Sequence, residues 1–146
     1  MLPASGKTTI QKLGIKPGFC IFVDGAPARY EKLVGKLPED TTIAGRPKAP
    51  LDMVHLFVSR AAVLGQKLIA YRDAMAPDGM IWISWPKKSS GVATDVTENV
   101  VRNAALAVGL VDIKVCALDE VWSGLKFVIP RDQRAEARGA RKSTRS

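Results

Sequence analysis

Apolar and polar positions along this chain fall into two alternating kinds of pattern. Phe19–Asp24 (FCIFVD), Met53–Val58 (MVHLFV) and Met80–Trp85 (MIWISW) are short, almost unbroken apolar runs. Such runs suit strands covered on both faces. Thr41–Ala44 reads as a shorter, β-branched strand. Helical patterns lie between. A short helix is predicted from Arg29 to Val34, and a longer one from Ala61 to Met75 with Leu64, Leu68, Tyr71 and Met75 on one stripe, stopped at Pro77-Asp78-Gly79. Asp95, with Glu98 three residues on, predicts the start of another helix that turns Val96, Val100, Ala104 and Ala107 inward and stops at Gly109. Two further strands, Val111–Leu118 and Leu125–Ile129, are separated only by DEVWSG. That link is too short for a parallel crossover, so they are expected to form an antiparallel hairpin.

Strands alternating with helices and closing on a hairpin predict a three-layer α/β fold with a mostly parallel sheet. The 146 residues suffice for one such domain, expected over residues 14–130. Residues 1–13 read as a loose N-terminal arm. Residues 131–146 hold six basic and two acidic residues and no large apolar one, so they read as a basic disordered tail. That tail is a candidate for non-specific nucleic-acid or partner contact.

The net charge of +8 narrows the partners more than the fold. No stretch has the apolar length of a membrane span, and no apolar leader opens the chain, so a cytoplasmic protein is expected. Cys20 and Cys116 are far apart in apolar surroundings, which suits a reducing compartment. One histidine and two distant cysteines give no metal-ligand spacing. His55, inside MVHLFV, reads as a satisfied core histidine rather than a base. Gly6-Lys7-Thr8-Thr9 has the end of a phosphate-binding loop without its earlier glycine or strand, and no G-x-S-x-G turn occurs.

Ligands of open α/β sheets collect beyond the carboxyl ends of the parallel strands. Those ends carry Asp24 and Arg29, then Arg46 and Lys48, then Ser59 and Arg60, then Lys87, Lys88, Ser89 and Ser90. The hairpin brings Trp122 to the same rim, as a ligand wall or as a hairpin anchor. Asp24 either caps the next helix or meets the ligand. This mostly basic rim predicts an anionic small molecule, with Lys87, Lys88, Ser89 and Ser90 as its first contacts and Arg29, Arg46, Trp122 and Asp24 behind them.

Several blocks carry a resemblance: LGIKPG, Ala26-Pro27 to Tyr30, DMVHLFV, APDGMIWISWPKKSS, and Thr94–Val128 ending in DEVWSGLKFV. Together they resemble the bacterial domain-of-unknown-function family 3052, over about residues 14–128. That family has no settled activity, so the likeness implies no reaction. The order of elements also resembles a trimmed class I methyltransferase, a Rossmann-like fold. This second likeness implies that Leu125–Ile129 inserts beside Met80–Trp85, leaving Val111–Leu118 at the edge, and that S-adenosylmethionine is the cofactor. The chain departs from it in three places. Pro27 and a single Gly25 stand where a glycine-rich loop is expected, Arg46 and Lys48 stand where an acidic residue is usual, and one strand-helix unit is missing between Ala44 and Asp52.

These departures put a non-catalytic binding or regulatory module first among the expectations. A divergent S-adenosylmethionine-dependent methyltransferase is the alternative, and contact through the basic tail is the third.

Overall fold

β-branched and aromatic side chains fill a six-stranded sheet in the order β2-β1-β3-β4-β6-β5. The computed structural model describes residues 8–48 and 50–134. Its strands are β1 (Cys20–Asp24), β2 (Thr42–Ile43), β3 (Leu51–Phe57), β4 (Met75–Pro86), β5 (Val111–Ala117) and β6 (Trp122–Val128). The first four are parallel, and β6 runs antiparallel between β4 and β5. The predicted insertion of the last strand beside MIWISW is therefore observed, with Trp82 opposite Lys126 and Ile83 opposite Leu125.

Two layers of helix cover the sheet. On one face, α3 (Leu64–Ala74) and α4 (Glu98–Ala107) bury Leu64, Leu68, Tyr71, Val101 and Ala105 against Val54, Leu56, Ile81 and Ile83. On the other, α1 (Thr9–Leu13) and α2 (Tyr30–Val34) cover Ile21, Met53, Phe57 and Trp82. Trp82 and Phe127 are both fully buried, one in each core, on opposite faces of the sheet.

Several expectations need correction. Residues 8–13 are not loose. Thr8 and Gln11 form a reciprocal capping box, Leu13 is fully buried, and the Trp82 indole donates to the Leu13 carbonyl at 2.9 Å. Residues 131–134 form a helical turn rather than the start of a free tail. Arg134 Nε donates to Ile129 O at 2.9 Å, and Arg72 Nη2 donates to Gln133 Oε1 at 3.3 Å. The remainder of the predicted arm and tail, residues 1–7 and 135–146, lies outside the described residues.

α3 ends before Pro77-Asp78-Gly79, which lies inside a strand. Ala74 hands straight over to β4, which pairs Met75 with Leu51 and shifts register before Met80 meets Met53. Asp95 does not cap α4. Thr97 does, accepting from Val100 N at 3.2 Å, while Asp95 Oδ1 accepts from Ala61 N at 2.8 Å and so starts the turn leading into α3. With the first turn displaced, Val101 and Ala105 are the fully buried residues of α4, and Val100 and Ala104 are only partly buried. β1 is covered only partly on each face, with Cys20 and Phe22 packed against one core and Ile21 and Val23 against the other. Ile21 alone is buried in it, because its outer neighbour β2 is two residues long.

Candidate functional site

The four parallel strands send their carboxyl ends to one rim, where β6 begins with Trp122. The chain leaves β1 outward toward β2 and leaves β3 the other way toward β4. The topological switch point therefore lies between Asp24 and Phe57. Gly25 turns there with φ +77°, and a Cβ on it would stand 2.6 Å from Phe57 O, so only glycine fits.

Asp24 does not cap α2. Its Oδ2 accepts from Lys67 Nζ at 2.8 Å and from the Tyr71 hydroxyl, tying β1 to α3. The Tyr71 phenol is held well above its ordinary pKa, first by burial and then by the hydrogen bond to Asp24 and that carboxylate's charge. α2 has Arg29 at its N-cap with no side-chain cap bond, and Arg29 is exposed on the loop between Gly25 and Tyr30.

Beyond β4, Lys88–Ser90 forms a 3-10 turn closed by Gly91 in the left-handed conformation. Lys87 binds the hairpin twice: its Nζ donates to Asp119 O and its backbone N to Val121 O, each at 2.7 Å. Ser90 Oγ donates to Lys87 O at 2.6 Å and accepts from Val92 N at 3.2 Å. Lys87 and Ser90 thus hold the loop together, whereas Lys88 and Ser89 face solvent. Lys88 borders a cleft of about 430 Å³ with Trp85, Pro86, Thr97 and Glu98.

Arg46 lies elsewhere, in a cleft of about 390 Å³ with Cys20 and Lys48. β1 and β3 intervene between β2 and β4, so Arg46 and Lys88 are about 14 Å apart in strand spacings alone. The predicted residues therefore divide into two places rather than closing on one ligand. Trp122, next to the strand end at Pro86, packs edge-on against Phe57 with ring centroids 5.3 Å apart. That geometry makes it an anchor of the hairpin.

Behind the rim runs a polar chain of which the sequence shows only the histidine. Tyr30 Oη lies 2.6 Å from His55 Nδ1, and His55 Nε2 lies 2.7 Å from Ser84 Oγ. His55 and Ser84 are fully buried, and Tyr30 is 8% exposed. The imidazole stacks on Phe57 at 4.3 Å. Burial lowers its pKa to about 3, so the ring is neutral, donating from one nitrogen and accepting at the other. As expected for a core histidine, both ring nitrogens are satisfied. Burial also raises the Tyr30 phenol well above its usual range. Among the described residues no group of His, Cys, Asp and Glu could hold a metal ion, and no helix is long and apolar enough to cross a membrane.

A parallel sheet ending in an inserted antiparallel strand, with a switch point between β1 and β3, is the fold of Rossmann-like methyltransferases. The chain is similar to a SAM-dependent methyltransferase from Aquifex aeolicus, with TM-score 0.59 and 12% identity over 83% of this chain and 87% of that one. It is similar to magnesium protoporphyrin IX methyltransferase of Synechocystis PCC 6803 with bound SAH, with TM-score 0.56 and 9% identity over 83% and 78%. A TehB-like SAM-dependent methyltransferase from Corynebacterium glutamicum matches with TM-score 0.53 and 12% identity over 84% and 85%. No protein-family model matches the chain, and no curated protein matches it in sequence.

Proposed function

We propose that this protein is a divergent S-adenosylmethionine-dependent methyltransferase whose ligand would lie at the carboxyl rim beside Gly25, and that it is kin to family 3052 through its WPKKSS and DEVWSGLKF blocks. The observation that supports the activity is the fold, whose similarity to enzymes of that class extends over most of the chain. The residues at the rim do not fit the cofactor well. Asp24 is engaged by Lys67 and Tyr71, Pro27 has no backbone N–H to offer, and the loop after β2 presents Arg46 and Lys48 where ribose hydroxyls would want a carboxylate.

That chemistry favours a second reading, a non-catalytic module for an anionic small molecule. Its supporting observation is the pair of clefts bordered by Lys88 and by Arg46 and Lys48. Calorimetry with S-adenosylmethionine and S-adenosylhomocysteine separates the two. Saturable heat at micromolar to millimolar ligand supports the methyltransferase reading, and no heat at millimolar ligand overturns it. The second reading predicts that an anion bound in the Lys88 cleft is lost in Lys88→Ala and one bound in the Arg46 cleft is lost in Arg46→Ala.

A further inference from the structure

Among the described residues β5 is the last strand on its side of the sheet, and its outer edge is open. It carries Ile113 and Val115, which are 54% and 52% exposed. The ladder with β6 steps from Asp112 opposite Phe127 to Lys114 opposite Lys126, so Ile113 has no cross-strand partner and is the extra residue of a bulge. At the hairpin end Leu118 N donates to Trp122 O at 2.9 Å. Counting back by the alternation of an antiparallel ladder, Cys116 and Lys114 turn their backbone groups to β6, and Val115 and Ala117 turn theirs outward. There Ala117 O receives the Cys116 thiol, a weak donor, at 3.4 Å.

The two faces of this edge differ. Val115 stands opposite Leu125, part of the core under α3 and α4, so it lies on the α4 side. On that side Arg102 of α4 donates to Asp112 Oδ2 at 3.3 Å, and Leu106, one turn further along the helix, is 47% exposed. Lys114 lies on the other side, directly opposite Lys126, a like-charge pairing that costs the ladder stability. Among the described residues the ion pairs join Lys67 to Asp24 and Arg102 to Glu98 and Asp112, so neither lysine is neutralised. Burial raises the Cys116 thiol above its ordinary pKa and Lys12 and Lys114 oppose that rise, so Lys12 of α1 adds its charge nearby.

We propose that β5 is a docking edge for an extended segment of another protein in which acidic and apolar residues alternate. Added as a further strand, the segment pairs with the outward N–H and C=O groups of Val115 and Ala117. Its acidic side chains then lie beside Lys114 on one face, and its apolar ones beside Val115 and toward Leu106 on the other. Charge decides against two other occupants. A second copy would bring its own Lys114–Lys126 pair up to this one, on a chain of net charge +8. Residues 135–146 of this chain hold four basic residues and one acidic, and would be repelled in the same way. A lysine and a bulge on an edge strand deter pairing between like strands, but they leave the edge open to a strand of opposite charge. The docking edge does not depend on the methyltransferase reading.

The test is amide NMR of the full chain titrated with a seven-residue peptide of alternating glutamate and valine, the length of β5, and with its lysine–valine counterpart. Expected with the acidic peptide are saturable shifts at residues 113–117 and slowed hydrogen exchange at the Val115 and Ala117 amides. The basic peptide should give neither. Lys114→Glu should lose about tenfold in affinity for the acidic peptide, and Lys36→Glu should bind it as the native chain does. Val115→Pro removes an N–H that the ladder with β6 does not use, so its spectrum should keep the native dispersion away from β5 while binding falls by a similar factor. Equal affinity for the two peptides, shifts centred away from β5, undiminished binding in both β5 variants, or no response at millimolar peptide would overturn the proposal. So would sedimentation showing that the chain pairs with itself, with the Val115 amide protected in the dimer.

Discussion

His55 sets how the protein should respond to acid. In the folded chain its imidazole has pKa about 3, whereas a histidine in the unfolded chain takes its proton near 6.5. Between these values the unfolded state binds a proton that the folded state refuses. The stabilisation from keeping His55 neutral is therefore present above about pH 6.5 and drains away as pH falls toward 3. The full separation corresponds to about 5 kcal/mol, of which about 2 kcal/mol is lost between pH 7 and pH 5 and about 3 kcal/mol by pH 4. Against a total stability of about 5–15 kcal/mol this is a large share. Urea unfolding followed by tryptophan fluorescence at pH 7, 6, 5 and 4 measures it. His55→Gln keeps a donor and an acceptor between Tyr30 and Ser84 but cannot titrate, so its stability should fall less over the same range. Carboxylates contribute to both curves alike, and the difference between them isolates the histidine. Parallel curves for the two proteins would refute the reasoning.

Three further outcomes follow from the geometry. Trp82→Phe removes the indole bond to Leu13 O and should cost about 1–3 kcal/mol, with faster hydrogen exchange in α1 read by mass spectrometry. Both tyrosines are held above their ordinary pKa, so tyrosinate absorbance near 295 nm should stay flat to about pH 11 and then rise together with unfolding; a rise near pH 10 in the folded state would contradict the burial described. Gly25→Ala combines a left-handed backbone with a Cβ 2.6 Å from Phe57 O and should lower stability by at least about 1–2 kcal/mol in thermal or chemical denaturation.

Local pattern made the strands and both longer helices legible. The stripe Leu64, Leu68, Tyr71 is buried as its spacing implies, and the short DEVWSG link does force a hairpin. What local pattern cannot show is which of two nearby polar groups a distant backbone will claim. Asp95 and Thr97 are both competent caps, and the choice fell to Thr97 because Asp95 is drawn to Ala61, 34 residues away. The same holds for the rim. Reading strand ends located Asp24, Arg46 and Lys88 on one side of the sheet, yet Lys67 and Tyr71 occupy Asp24, and two intervening strands separate the two cations. Ser84 and Tyr30 gave no sign of their bonds to His55, since a serine in an apolar run and a tyrosine in a helix are ordinary on their own.

The measurement that tests the methyltransferase reading most directly is an amide NMR map of the protein titrated with S-adenosylhomocysteine. The account predicts saturable shifts at the carboxyl rim, centred on residues 24–29 and 57–60 and extending to Lys87–Ser90 across the ends of β1, β3 and β4. An unchanged spectrum at millimolar ligand, or shifts confined to the lysine-rich face around Lys114 and Lys126, would contradict it.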